Sequence, residues 1–249
     1  VGDPRYFVRP VVDVVVQLVA HRGFGREAPE NTLAAVSYAA DAGANAVEVD
    51  VRAASDGTPV VVHDATVDRV TDATGPVREH APAELRALSV LDSGEGVPTL
   101  AAVLSRASDR GLAVNVDVKE PGVAAATVDA VHDSPLPATA VWASSFDAEA
   151  LRRVADANVT ADGPVVDTAY LARTRREGPV STAVDCGCVA VHPQYRTTIA
   201  GDLVDRAHAA GLDVYAWTLD SPWVADVVAN AGVDGLIADV ALDAYAGSP

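Results

Sequence analysis

The sequence predicts an α/β chain in which about eight parallel strands close into a (β/α)8 barrel, the TIM barrel. Three observations predict it. Short apolar runs alternate with longer Ala-rich segments of helical period. Three segments rhyme: "SYAADAGANAVEVD", "AHAAGLDVYAWT" and "VANAGVDGLIAD". Each is a helix ending in Ala-Gly, a short turn, and a strand that closes on polar residues, and repeated units of this kind imply a buried parallel sheet. The chain has 249 residues, a length typical of one such barrel. A doubly wound open sheet is the alternative, although no G-x-G-x-x-G follows the first strand to support dinucleotide binding.

Taken in order, the first strand is read at 14–20, an apolar run broken by Gln17 and closing on His21-Arg22. A helix follows at 32–42, with Asn31 as N-cap and Gly43 as its stop. The second strand, 46–51, reads "AVEVDV". The stretch from 51 to 100 is long for one strand-to-helix connection, which predicts a small insertion between the second strand and its helix. Within it lie a strand at 59–63, ending on His63-Asp64, and a helix at 82–88. A helix at 100–110 stops at Gly111 and leads into the alternating strand 113–118. Helix 122–132, strand 140–144, helix 147–157 and strands 165–166 and 189–192 continue the series. Helix 201–210 stops at Gly211, strand 213–217 follows, and helix 222–231 stops at Gly232 before the last strand, 236–238. No linker is visible, so 1–249 reads as a single domain.

Hydrophobic residues make up 49% of the chain, enough for a substantial core. The formal net charge of −17 argues against a nucleic-acid partner, because phosphate contacts need a basic surface. Lys119 is the single lysine; every other basic residue is arginine. Acidic surplus, scarce lysine and small side chains together point to a salt-loving organism, since concentrated salt screens self-repulsion. A GC-rich genome would also favour arginine, but explains the size of the negative charge less well. Cys186 and Cys188 are too few for a zinc site or a disulfide framework. No stretch is long and apolar enough to span a membrane, and the start lacks a signal-peptide pattern. A cytoplasmic protein without stable membrane insertion is therefore expected, although a chain opening on Val1 is also compatible with a removed leader. Nothing in the sequence specifies an oligomeric state.

A parallel barrel carries its active site at the carboxyl ends of the strands. The first strand ends on His21-Arg22. In "AVEVDVR", Glu48 and Asp50 are two apart and point to one side. If that side is the barrel interior, two carboxylates crowd together, and a hard divalent cation such as Mg²⁺ or Ca²⁺ is the natural compensation. If it is solvent, no cation is needed. "VNVDVKE" repeats the pattern, with Asn115, Asp117 and Lys119 on one face. That face offers a third carboxylate and a compact ammonium for an anionic group. His63 closes another apolar run. Two histidines, a metal and basic residues can cleave a phosphodiester: one histidine takes a proton from the attacking oxygen and the other gives one to the leaving oxygen. Arg22, Lys119 and the metal would hold charge on the non-bridging oxygens. Trp217 and Phe146 fit either a core or a pocket wall, and His192 ends a strand within possible reach of the site. His80, His132 and His208 read as solvated.

At these residues the sequence resembles the glycerophosphodiester phosphodiesterases, a family of the phospholipase-C-like TIM-barrel group. The matching pieces are "AHRG" with "PENT", "AVEVDVR" with "DGTPVVVHD", "DRVTDATGPV", "VPTL", "VNVDVK", "WASSF", "VYAWT" and "GVDGLIADV", in family order from about 18 to 240. The resemblance implies metal-dependent hydrolysis of a small glycerophosphodiester to glycerol phosphate and an alcohol, through a cyclic phosphate formed by the neighbouring glycerol hydroxyl. It implies His21 and His63 as the acid/base pair and Glu48, Asp50 and Asp117 as ligands of one divalent cation, Mg²⁺ or Ca²⁺. It places Arg22 and Lys119 at the phosphate and Trp217 in the pocket, and leaves open an active-site role for Asn31 beside that of a helix cap. Three departures stand out. Asp117 occupies a position where the family commonly has Glu, one methylene longer. Asp220 stands where Asn is common, and it cannot donate a hydrogen bond. Ala238 replaces a frequent Thr. A phosphodiesterase acting on intact lipid headgroups and a barrel that binds phosphodiesters without turning them over are the alternative readings.

Overall fold

The computed structural model describes residues 16–160, 163–199 and 201–247. Its strands are β1 (Gln17–His21), β2 (Ala46–Ala53), β3 (Pro59–Val61), β4 (Ala113–Val118), β5 (Val141–Ser145), β6 (Asp167–Ala172), β7 (Ala190–Pro193), β8 (Asp213–Leu219) and β9 (Gly235–Ala238). Hydrogen bonds join them in the order β1-β9-β8-β7-β6-β5-β4-β2, and a β1–β2 pairing closes the ring. Every pairing in that ring is parallel. This is the closed eight-stranded barrel that the repeated units predict.

The helices are α1 (Leu33–Asp41), α2 (Pro82–Ala87), α3 (Leu100–Arg110), α4 (Ala124–His132), α5 (Ala148–Thr160), α6 (Pro179–Asp185), α7 (Arg196–Ile199), α8 (Leu203–Ala209) and α9 (Pro222–Ala229). Helix α3 shows why they pack outside the barrel. It buries Leu100, Val103, Leu104 and Ala107, the i, i+3, i+4, i+7 stripe of one helix face. Each buried leucine or valine of that stripe contributes about 1.5–3 kcal/mol.

The insertion runs between β2 and α3. β3 pairs antiparallel with β2, so it is not a barrel strand. Val60, Val62, Val67, Val70, Val77, Leu85, Val90 and Val97 form a separate small apolar cluster beneath the insertion. That cluster holds a long connection in one shape without secondary structure along most of it.

Several boundaries differ from the sequence reading. Positions 14 and 15 of the first strand lie outside the described residues, and β1 extends to take in His21. β3 stops at Val61, so His63 lies two residues beyond it; Val62 still donates to Asp50 O (2.9 Å) before the chain leaves β2. The strand read at 165–166 is displaced to β6, Asp167–Ala172. Val165 is 62% exposed, and the Val166 backbone is bound by Asn158, which donates to its carbonyl at 2.9 Å and accepts from its N–H at 3.0 Å. The polar start of β6, Asp167-Thr168, hid it. Helices α6 and α7 were not anticipated.

The period-two reading of the strands holds. In β2, Val47, Val49 and Val51 join the core against the helices, as Val114, Val116 and Val118 do in β4. The alternate residues, Glu48, Asp50, Asn115 and Asp117, face the barrel interior and are buried. Below them Val19, Ala46 and Ile237 fill the barrel with Trp142, Tyr215 and Trp217 packed on them.

Candidate active site

The turn after β1 positions the first group of site residues. Arg22 (φ 52°), Phe24 (φ 61°) and Asn31 (φ 61°) take left-handed conformations that non-glycine residues seldom adopt. Gly23 (φ +76°) lies against helix α1 so closely that a Cβ there would sit 2.6 Å from Ala35 Cβ. This tight return aims the Arg22 backbone N–H at Glu48 Oε2 (3.0 Å), while the Arg22 carbonyl accepts from Asn31 N (3.0 Å). Asn31 does not cap α1. Thr32 does, its hydroxyl accepting from Ala35 N at 3.1 Å. Asn31 instead holds Asp50: its amide donates to Asp50 Oδ2 (2.8 Å) and accepts from Asp50 N (3.2 Å). A buried carboxylate needs that donor more than the helix end needs a second cap.

Parallel register brings the remaining groups together. His21 pairs with Glu48 across β1–β2, and Asp50 with Asp117 across β2–β4. Glu48, Asp50 and Asp117 are all buried, and one oxygen of each lies within 4.8 Å of the others. The shorter Asp117 therefore still reaches the cluster. The Lys119 ammonium lies 2.6 Å from Asp50 Oδ1 and also contacts Asp117 Oδ2. Arg22 places Nε 3.0 Å from Asp50 Oδ2 and Nη1 3.1 Å from Glu30 Oε1.

Burial first, then repulsion from Asp50, raises the pKa of Glu48 above the usual carboxylate range. Asp117 is raised by burial, which outweighs Lys119, with Asp50 adding to the rise. Burial would raise Asp50 too, but Lys119 and Arg22 outweigh it and hold Asp50 low. Asp117 Oδ1 is buried without a hydrogen-bond partner. Three buried carboxylates that converge, one of them with an oxygen left unbonded, suit a divalent cation.

The two histidines are tuned in opposite directions. His21 Nδ1 lies 2.6 Å from Asp239 Oδ1 and its Nε2 3.8 Å from Glu48 Oε2. Burial lowers its pKa, but Glu48 and Asp239 outweigh burial, so the net shift is upward. His63 Nδ1 lies 2.6 Å from Asp64 Oδ1, and Asp64 is in turn held by Arg69 Nε at 2.5 Å. Burial dominates at His63 and lowers its pKa despite Asp50 and Asp64. Arg52 fixes the same segment by donating from Nε to the His63 carbonyl (2.8 Å).

His21, Arg22, Glu48, His63, Asp117, Lys119 and Trp217 all line one cavity of about 190 Å³ at the carboxyl ends of the strands. Asp50 lies behind its wall, only 1% exposed, bonded to Asn31 and ion-paired with Arg22 and Lys119. Phe146 and Arg173 are also in the wall. Trp217 is anchored by its indole N–H, which donates to His192 O (2.6 Å). His192 itself is buried inside the barrel, outside the cavity wall, and burial pushes its pKa down to about 3. Asp220 does not line the cavity; it pairs with Arg26 at 3.2 Å.

Sequence reasoning missed Asp239, Glu30, Arg69 and Arg173. Asp239 was findable: it follows the last strand directly, where a barrel carries its site residues. The Glu30–Arg69 pair (2.7 Å) spans 39 positions and has no local signal.

Comparison with known proteins agrees with this fold. Residues 21–242 match the glycerophosphoryl diester phosphodiesterase family. A glycerophosphodiester phosphodiesterase of Caldanaerobacter subterraneus is 30% identical over 233 residues, covering 89% of this chain and 93% of that protein. An Oleispira antarctica phosphodiesterase, solved in complex with the product sn-glycerol-3-phosphate, is 28% identical with a TM-score of 0.80, covering 92% of this chain and 95% of that one. A glycerophosphodiester phosphodiesterase from Agrobacterium tumefaciens is 25% identical with a TM-score of 0.79, covering 93% and 99% of the two chains. With the barrel, the buried acidic cluster and matches over nearly its whole length, the chain belongs to the glycerophosphoryl diester phosphodiesterase family and is a phosphoric diester hydrolase.

Proposed function

We propose that this enzyme hydrolyses small glycerophosphodiesters with His21 and His63 as proton carriers and one divalent cation, Mg²⁺ or Ca²⁺, held by Glu48, Asp50 and Asp117. The buried carboxylate cluster beside two oppositely tuned histidines supports this best. When bound, the cation would relieve carboxylate crowding and withdraw charge from a phosphate oxygen. Arg22 and Lys119 hold the other phosphate oxygens, and Trp217 walls the cavity.

His63 is the base. With Nδ1–H given to Asp64, its Nε2 is left to accept, and its lowered pKa keeps it neutral near pH 7. It takes the proton of the glycerol hydroxyl next to the phosphate as that oxygen bonds to phosphorus. His21, its pKa raised by Glu48 and Asp239 and its Nδ1 held by Asp239, gives its proton to the leaving alcohol as the old P–O bond breaks. Water then opens the cyclic phosphate with the two roles exchanged. The acidic, lysine-poor composition supports a protein that works in concentrated salt, in a cytoplasmic setting.

The test is release of glycerol phosphate from a panel of glycerophosphodiesters in high salt, with and without divalent metal. A chelator should abolish turnover, and Mg²⁺ or Ca²⁺ should restore it. His21→Ala and His63→Ala should each lower kcat by roughly 10²- to 10⁴-fold with an unchanged circular dichroism spectrum. Wild-type turnover in either variant, or full activity in chelator, would overturn the reading.

A further inference from the structure

Beside the cavity already described lies a second one of about 290 Å³, lined by Arg52, His63, Asp117, Lys119, Phe146 and Arg173 among others. His63, Asp117, Lys119, Phe146 and Arg173 are common to both, so the two spaces are continuous, and Arg173 shares the wall of the first with His21, the proton donor to the leaving alcohol in the reading above. Of the arginines in these walls, Arg22 is paired with Asp50 and Glu30, and Arg52 approaches Glu120 at 3.8 Å. Arg173 alone has no carboxylate within ion-pair distance of its guanidinium among the described residues.

Arg173 is nonetheless held in place. It follows the carboxyl end of β6, and its guanidinium carbon sits 3.6 Å over the centre of the Phe146 ring. Phe146 in turn packs edge-on against Trp217, with ring centres 5.4 Å apart. Glu177, four residues on, does not neutralise it: its oxygens accept from the Arg173 backbone N–H (2.9 Å) and the Thr174 hydroxyl (3.2 Å). Asp147 faces the second cavity, but one of its oxygens is engaged by Glu149 N at 2.8 Å. An uncompensated, stacked guanidinium at the mouth of an active site is a ready partner for a carboxylate or phosphate.

The same stack excludes the opposite charge. An aromatic pair such as Phe146 and Trp217 would otherwise offer π faces to a quaternary ammonium. Here the Phe146 face is occupied by a cation, which repels another.

We propose that Arg173 is a specificity-determining residue that selects glycerophosphodiesters whose leaving alcohol carries an anionic group, and selects against purely cationic alcohols. This rests on the phosphodiesterase reading above and names the substrate class of that same site.

Glycerophosphoserine and glycerophosphoethanolamine make the test, because their alcohols differ only by a carboxylate; glycerophosphocholine and glycerophosphoglycerol complete the set. In the wild-type enzyme kcat/KM for the serine diester should exceed that for the ethanolamine diester about tenfold, the scale of one charge-assisted hydrogen bond. Arg173→Gln should bring the ratio close to one, Arg173→Glu should invert it, and Arg173→Lys should retain part of it. Each ratio is internal to one variant, so a general loss of activity does not blur it. Equal rates on both diesters in the wild type, a preference for choline, or a ratio unmoved in Arg173→Gln would overturn the proposal while leaving the phosphodiesterase reading intact. Turnover of none of the four diesters would instead overturn that reading, and this proposal with it.

Discussion

His21 owes its state to a residue 218 positions away. Asp239 Oδ1 lies 2.6 Å from its Nδ1, which orients the ring and offsets the cost of burying a charge. Asp239→Asn keeps the shape and removes the charge. Turnover should fall on the order of 100-fold, with KM little changed because Asp239 is bonded to His21 and does not line the cavity; steady-state kinetics would show the split. A fall in kcat/KM carried wholly by KM would assign Asp239 to substrate binding instead. His63 should set the pH dependence of turnover. A base must be neutral to work, and burial lowers the pKa of His63 from its ordinary 6.5. Activity should therefore persist as pH falls to 6.5 and be lost only below it, as His63 protonates. An acidic limb of kcat/KM centred above 6.5 would exclude His63 as the base.

At the scale of elements, the β1–α1 turn matters most. It carries Arg22, Glu30 and Asn31, and its shape depends on a glycine that lies on a helix. Gly23→Ala would add a Cβ 2.6 Å from Ala35 Cβ at a backbone angle of +76°. We expect a loss of about 2–3 kcal/mol in denaturant unfolding, with activity reduced in the fraction that remains folded because the Arg22 amide moves off Glu48. A variant as stable as wild type would mean that α1 shifts freely and that the contact is not a constraint. The insertion is the second such element. Its own apolar cluster and the Arg52 bond to the His63 carbonyl hold His63 against β2, so the segment that follows β3, outside the barrel, supplies a wall of the site.

The whole molecule carries a net charge of −17, while its site gathers cations: Arg22, Lys119 and Arg173. Those cations favour an anionic substrate at short range, whereas the global charge repels it and strains the fold. Raising KCl from about 0.1 M to about 1 M shortens the screening length roughly threefold. The thermal midpoint should rise, a gain of about 2 kcal/mol reading as roughly 4–8 °C. A midpoint that is flat or falling in KCl would dismiss the salt-adapted reading of the composition.

Alternation and repetition were enough to make the barrel legible. Valines at 47, 49, 51, 114, 116 and 118 reveal which faces meet helices, and so which faces carry Glu48, Asp50 and Asp117 inward. His21 and His63 were visible because they close apolar runs. Strand β6 was not, since it begins on Asp167 and Thr168, and apolarity is the signal that reading depends on. Asn31 reads most simply as a cap, and its bond to Asp50 was not visible, for a related reason. A cap is a local bond, readable from neighbours, whereas the bond to Asp50 joins two segments that only folding brings together. The repeat, the buried strands and the chemical types that end them follow from the order of residues. Folding settles which carboxylate faces which cation, that Asp239 turns His21, and that Arg173 stands over Phe146 without an acidic partner among the described residues. Periodicity is a property of one segment, while charge pairing depends on distance across a closed barrel, and no linear spacing encodes that distance.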